Sequence, residues 1–398
     1  MEVLKNAEKL KKQMIKTRRE LHKNAETGFQ LDKTLKIVER ELLDMGIRPI
    51  KCGKAALVAT IGKGKRTIML RADMDALPMK EQSGETFSSK TNNAHTCGHD
   101  LHTAMLLGAA RLLKEKEESL NGRVKLLFQA AEEILEGAKD TIENGVLKSP
   151  KVDAALMLHV LPAVDLKSGT LVVSSPGVSA PASDFFSIEI QGKGCHGSAP
   201  WNGVDALTVA SHIIIALQEI IARETPIADP AVLTIGKLEM DGAGNAIADF
   251  ISLHGTLRCF DENRRKTLKK RVEEVANSIA SAFRASAKIV YGGGCPVLLN
   301  DEKLSAFCNE KLKGLFGKEN VLTSDELYGD VKKKSGGSED FAYFSQEVPS
   351  VMIGLAAGEK KDGYEYPLHH PKVCFDESVL STGCAAFAYL AYEWLKKE

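Results

Sequence analysis

The sequence predicts an α/β protein, with a mostly parallel central sheet flanked by helices and a smaller α+β domain inserted into it. Three observations predict this. Apolar strand-like runs alternate with helical segments through the first 180 or so residues, and right-handed crossovers turn that order into a parallel sheet. Residues 183–293 change texture, with half-exposed alternating strands separated by two long helices. Residues able to bind metal recur at or just beyond strand ends and helix starts, at Cys97–His102, Glu132–Glu133, His159 and His369–His370. Open parallel sheets gather ligands and chemistry at that edge.

The elements follow in order. Residues 3–24 and 31–45 carry helical spacing, the second stopped by Gly46. Residues 55–61 (AALVATI) and 66–72 (RTIMLRA) read as strands joined by a Gly62–Gly64 turn. A helix is expected from about Leu101 to Lys116, with small and apolar residues on one face. A buried strand at 123–130, a helix at 134–145 closed by Gly145 and a strand at 153–160 complete the first part. The inserted part reads strand 183–194, helix 204–223, strand 231–238, strand 246–260, helix 261–284 and strand 287–294. That β-α-β-β-α-β order is that of a ferredoxin-like sandwich. A helix near 301–315, a strand at 350–356 and a closing helix after Asp376 return to α/β character. The expected division is therefore 1–182 and 294–398 for the larger domain and 183–293 for the insertion, with a substrate cleft between them.

Bulk composition narrows the function classes. Lys+Arg and Asp+Glu balance at 53 each, so no overall basic field recruits nucleic acid or an anionic membrane. The first 21 residues are amphipathic and charged, without the apolar core of a secretion signal. The longest apolar run, residues 212–222, is interrupted by Gln218 and Glu219, and no bilayer span is expected. Eight cysteines show no CxxC pairing, which predicts free thiols and a cytoplasmic setting.

Cys97 and His99 flank Gly98 in a turn before a helix, a thiolate–imidazole pair that suits zinc, with manganese, cobalt and nickel also compatible. Alone, such a triplet is as well explained by a buried thiol in a turn. Asp100 and His102 could be ligands or could orient ligand imidazoles. Asp73 and Asp75 leave an apolar strand, where burying unpaired charge is costly, and are placed behind the ligand histidines. Glu132 and Glu133 point in different directions, so one can bind metal while the other serves as general base. His159 closes a strand too apolar to hold a histidine without a partner, and His369–His370 sit in a proline-flanked loop. A metal-assisted hydrolase is the reading. Its rivals are a thiol enzyme with Cys97 as nucleophile and His99 as base, and a non-catalytic binding protein.

Nine blocks resemble, in order, the amidohydrolase branch of the aminoacylase/carboxypeptidase metallopeptidase family. They are RRELHKNAETGF, RADMDALPMKE, HTCGHDLHTAMLLGAA, FQAAEE, LHV, GKGCHGSAPWNGVDA, GNAIADFISLHGTLRCF, GGSEDFAYF and LHHPKVCFDE. The resemblance implies hydrolysis of the amide of N-acyl amino acids or small peptide-like conjugates. Dipeptidase, carboxypeptidase or N-acetyldiaminopimelate deacetylase activity is the alternative. It implies a one- or two-metal centre held by Cys97, His99, Glu133, His159 and His369, with Glu132 as base. It assigns His196 to polarising the scissile carbonyl, often across a dimer, and Asn245 and Arg258 to the substrate-carboxylate side. Departures are Ala248 after the Asn245–Ile247 run, where proline is usual, and Cys195, where glycine usually precedes the histidine. The inserted lid and dimerisation domain offers edge strands and a long helix, so a homodimer acting on small molecules is expected.

Overall fold

The computed structural model describes residues 2–328 and 336–396. The helices are α1 (Glu2–Lys23), α2 (Asp32–Asp44), α3 (His99–Glu115), α4 (Gly137–Glu143), α5 (Ala206–Arg223), α6 (Glu262–Ala282), α7 (Glu302–Phe316), α8 (Ser324–Tyr328), α9 (Ala342–Glu347) and α10 (Leu380–Lys396). The strands are β1 (Ile50–Cys52), β2 (Ala56–Asp73), β3 (Asn121–Gln129), β4 (Ala154–Leu161), β5 (Leu171–Val173), β6 (Gly177–Ala180), β7 (Ala182–Gln191), β8 (Cys195–His196), β9 (Ala231–Glu239), β10 (Ala246–Ile247), β11 (Phe250–Cys259), β12 (Ser286–Cys295), β13 (Leu298–Asn300), β14 (Val321–Thr323) and β15 (Ser350–Ala356). They form two compact units. The first takes the chain up to Ser179 and from Leu299 onward, apart from a short stretch ending at Glu339; the second takes Ala180–Leu298 with that stretch.

The first unit is built on a mixed seven-stranded sheet, ordered β1-β2-β4-β15-β5-β14, with β3 paired to β2. The two strands expected on either side of Gly62–Gly64 form one bent strand, and its halves do not pair with each other. Pairs Leu57↔Phe128 to Ile61↔Val124 run in one sense and Thr67↔Arg123 to Asp73↔Gln129 in the other, so β3 lies between two legs of β2. The second leg, β3, β4 and β15 run parallel, while β5 pairs antiparallel to β15. The parallel strands carry near-continuous apolar runs because both their faces are covered. Leu70, Leu126, Leu156 and Ile353 are all buried.

Helix α3 is buried all round, from His99 through Ala110, rather than on one face. It lies against α1, α10 and β2, and its Gly108 lets Met14 of α1 approach so closely that a Cβ there would sit 2.4 Å from the Met14 sulfur. The helix starts two residues earlier than its apolar periodicity suggests, because Gly98 adopts φ +85°. A Cβ on Gly98 would lie 2.3 Å from Val160 Cγ2, so only glycine brings Cys97 and His99 this close to β4.

In the second unit a four-stranded antiparallel sheet, ordered β12-β7-β11-β9, carries α5 and α6, and a two-stranded ribbon pairs β8 with β10. Ile188, Ile213, Leu217, Ile251, Leu253 and Val272 fill its core. Helix α5 has a mean hydropathy of 1.4 over 18 residues, which by length and composition is enough to cross a membrane. That corrects the expectation that no stretch reaches this length. The helix packs on the sheet through Val209, Ile213, Leu217 and Ile220, a third of it buried.

Candidate metal centre

The carboxyl ends of β2, β3 and β4 meet the start of α3, and most of the side chains singled out in the first unit gather there. Asp73 ends β2, Gln129 ends β3 three residues before Glu132, His159 sits near the end of β4, and His99 opens α3. Potential ligand atoms of Cys97, His99 and His159 lie within 4.8 Å of one another. The same holds for Cys97, Glu133 and His369, and for His99, Glu132 and Glu133.

Hydrogen bonds fix which nitrogens face the cluster. His99 Nδ1–H donates to the Asp75 carbonyl (2.8 Å) and His159 Nδ1–H to the Val160 carbonyl (2.8 Å). With Nδ1 engaged, each ring turns its Nε2 toward the cluster. His159 Nε2 lies 3.5 Å from Cys97 Sγ. His99 Nε2 lies 3.9 Å from Glu132 Oε2 and 3.8 Å from Glu133 Oε1. Among the described residues, His99 Nε2 and Glu133 Oε1 are buried without a hydrogen-bond partner. Buried polar atoms in native proteins are nearly always paired, and an orphaned imidazole nitrogen and carboxylate oxygen beside a thiol fit a divalent cation such as zinc.

Asp75 holds the acidic pair in place. Its Oδ1 accepts from the Glu132 N–H (3.0 Å) and its Oδ2 from the Glu133 N–H (3.1 Å), while its own carbonyl anchors His99. His102 has both nitrogens engaged, Nδ1–H donating to Asp73 Oδ1 (2.6 Å) and Nε2 accepting from the Val160 N–H (2.9 Å). It thus braces β4 beside His159. His369 takes a left-handed backbone, φ +63°, and sets Nε2 3.5 Å from Glu133 Oε2. His370 turns away to stack on Tyr366, with ring centroids 4.4 Å apart.

Asp100 goes elsewhere. Its Oδ2 accepts from Arg18 Nε (2.7 Å) and His22 Nδ1–H (2.8 Å), both on α1. On a helix the next residue lies about 100° around the axis, so His99 and His102 share one face while Asp100 points at α1. In the second unit His196 is exposed, pairs across the ribbon with Ala246 and accepts at Nδ1 from Ser198 Oγ–H (2.7 Å). Asn245 adjoins it, its carbonyl accepting from the Gly197 N–H. Arg258 on β11 donates through Nη1 to the Gly336 carbonyl (2.8 Å) and Ser338 Oγ (3.0 Å).

Sequence reasoning missed Arg18, His22, Arg71, Gln129 and Asp340. Arg71 is fully buried; Nη1 reaches Asp73 Oδ2 (2.6 Å), Nη2 reaches Asp340 Oδ1 (2.7 Å) and Nε reaches Gln129 Oε1 (3.0 Å). A guanidinium inside an apolar strand was the available signal, since such a charge is buried only with partners.

Electrostatics follow from this crowding. Burial pushes Glu133 up to about 7, aided by Asp75 and Asp73. Burial drives His159 down to about 3, keeping it a neutral donor. Burial would raise Asp73, but His99, Arg71 and His102 hold it well below the carboxylate range. Burial and then Glu133 lift the Cys97 thiol well above its usual value. Reactive cysteines need the opposite environment, which weighs against the thiol-enzyme reading.

His22 yields a stability prediction. It lies between Asp100 and Glu81, whose two oxygens are each 3.1 Å from Nε2, and donating from both nitrogens requires the imidazolium. Burial opposes that charge, yet the Asp100 and Glu81 bonds raise His22 to about 9. The stabilisation is complete below an unfolded value near 6.5 and is lost as pH rises through 9, up to about 3 kcal/mol. Thermal unfolding followed from pH 6.5 to 10 should show this decline, and His22→Gln should flatten it. An equal decline in the variant would assign it to other groups.

The sequence profile described as Peptidase family M20/M25/M40 matches residues 69–393. The chain is 37% identical over 397 residues to the N-acetyl-L-cysteine deacetylase of Bacillus subtilis, covering 98% of this chain and 89% of the relative. It is 36% identical over 389 residues to an IAA-amino acid hydrolase of Arabidopsis thaliana, covering 96% and 86%. A Bacillus subtilis protein whose crystal structure is described as a dinuclear metal binding peptidase from the M20 family superposes with a TM-score of 0.78 at 30% identity, over 98% of this chain and all of that one. A buried thiol–imidazole–carboxylate cluster at the strand ends, within a fold and sequence shared end to end with these proteins, places the chain in peptidase family M20/M25/M40 as a metal-dependent amidohydrolase.

Proposed function

We propose that the protein cleaves the amide bond of N-acyl amino acids or related small conjugates, releasing a carboxylic acid and an amino acid. The observation that carries this is the Glu132–Glu133 pair, clamped by Asp75 beside the inward-facing Nε2 atoms of His99 and His159. Relatives named for deacetylating N-acetyl-L-cysteine and for hydrolysing IAA-amino acids support the substrate class.

Cys97, His99, Glu133, His159 and His369 would hold one or two divalent cations, zinc first, with manganese, cobalt or nickel as alternatives. Such a cation polarises a carbonyl and acidifies water toward about pH 7. Glu132 accepts the proton of the attacking water and delivers it to the amide nitrogen as the C–N bond breaks. His196 donates from Nε2–H to the carbonyl oxygen, its Nδ1 being occupied by Ser198. Asn245 and Arg258 would bind the substrate carboxylate. Asp73, Asp75 and His102 orient the metal-binding side chains.

The second unit is proposed as a ferredoxin-like lid and dimerisation domain, residues 183–293. Its edge strand β9 and the exposed Ile215 and Val232 support a homodimer. All eight cysteines are free, which supports a reducing, cytoplasmic setting.

A hydrolysis screen of acetyl-, benzoyl- and longer-acyl amino acids with zinc- or manganese-loaded protein tests the activity. Equal release of acid and amino acid is expected from at least one acyl series. No release from any of them at full metal loading would overturn the proposal.

A further inference from the structure

The turn that carries Glu132 and Glu133 is held in a conformation its residues do not favour. Ala131 and Leu135 have φ +59° and +56°, a region that side-chain-bearing L residues rarely adopt. The turn closes on itself. The Leu135 N–H donates to the Glu132 carbonyl (2.7 Å), and those of Glu136 and Gly137 donate to the Ala131 carbonyl (3.2 and 3.1 Å). A Cβ on Gly137 would fall 1.7 Å from the Ala130 carbonyl oxygen, so the chain there has no slack. Left-handed, non-glycine backbone persists only where the surroundings over-determine it.

One side chain brackets both ends of this turn. Asp340, buried and following the GGSE stretch, accepts at Oδ2 from the Ala138 N–H just after the turn (2.8 Å). Both of its oxygens accept from Gln129 Nε2 just before the turn (2.9 and 2.8 Å). Its charge is met by Arg71 Nη2 (2.7 Å), and Arg71 also binds the Gln129 amide oxygen (3.0 Å). Asp75 pins the middle of the turn and Asp340 its two ends.

We propose that Asp340 is a positioning residue for the Glu132–Glu133 pair: by tying Gln129 to Ala138 it keeps the turn in its strained form and so aims both carboxylates. This rests on the reading of Glu132 as general base. It reaches beyond that reading by assigning the geometry of the base to a residue more than 200 positions away that holds the two ends of the turn.

The test compares Asp340→Asn with the native full-length, zinc-loaded protein in two measurements. Asparagine keeps the shape but replaces one acceptor oxygen with a donor facing N–H groups. Amide hydrogen exchange of peptides spanning 130–138 should quicken about tenfold or more while peptides from α10 keep their protection. At equal zinc content kcat should fall about ten- to a hundredfold with KM little changed, as expected when a catalytic group is misplaced rather than removed. Gln129→Met, which removes one bracket without altering charge, should move both readouts in the same direction by less, and it decides the matter if Asp340→Asn does not fold.

Unchanged exchange in the turn would overturn the proposal. So would exchange that rises equally in α10, or a loosened turn with native kcat. If native protein turns over no acyl amino acid, the proposed activity fails, whereas the exchange comparison still decides whether Asp340 holds the turn.

Discussion

Glu132→Gln should lose about a thousandfold in kcat while retaining its metal, within the roughly 10²–10⁴-fold range for removing a general base. The substitution is isosteric. It keeps the main-chain N–H that donates to Asp75 and the side-chain position near His99, and removes only the capacity to take a proton. Glu133→Gln should behave differently. Glu133 shares ligand-distance contacts with Cys97 and His369, and its Oε1 is buried without a hydrogen-bond partner among the described residues, so the amide should weaken metal retention first. Metal content by elemental analysis beside steady-state kinetics separates the two acids. Near-native turnover in metal-loaded Glu132→Gln would end the assignment of the base. Loss of metal from both variants alike would mean that the pair does not divide its labour.

Much of this architecture was readable because burial leaves periodic traces. The expected helices at 204–223, 261–284 and 301–315 correspond to α5 (Ala206–Arg223), α6 (Glu262–Ala282) and α7 (Glu302–Phe316), where amphipathic spacing and aspartate caps agree. The convergence at the strand ends was readable for the same reason: apolar strands that finish in Asp73, near Glu132 and near His159 leave their polar residues on one edge. Periodicity does not report the sign of φ. The segment from Ile134 was expected to be helical, yet α4 begins only at Gly137 because Ala131 and Leu135 are left-handed. Nor does proximity in sequence show on which side of a helix a charge emerges. Asp100, one residue after His99, therefore serves the Arg18–His22 contact with α1 instead of the cluster. Long-range partners leave the faintest trace. Nothing local to Asp340 announces Gln129 or Ala138, although Arg71 inside a buried strand signalled that a carboxylate had to be near.

Removing the metal should abolish turnover and also lower thermal stability. Asp73, Asp75, Asp340, Glu132, Glu133 and Cys97 share one buried region with the guanidinium of Arg71. Gathering that many acidic groups in a low-dielectric interior is unfavourable unless cations join them. A cation that binds only the folded chain stabilises it by about 2.7 kcal/mol at a hundred times its dissociation constant and about 4 kcal/mol at a thousand times. A chelator-treated sample should therefore unfold several degrees lower than the zinc-loaded one, and zinc or manganese added back should restore both melting temperature and turnover. His99→Ala should mimic chelation in the loaded state, since it removes a donor whose Nε2 faces both acids. Full activity in protein shown by elemental analysis to be metal-free would overturn the metal requirement. A melting temperature that ignores the metal would place the cation outside the buried cluster, because a dication among those acids has no way to bind without deepening the folded state's advantage.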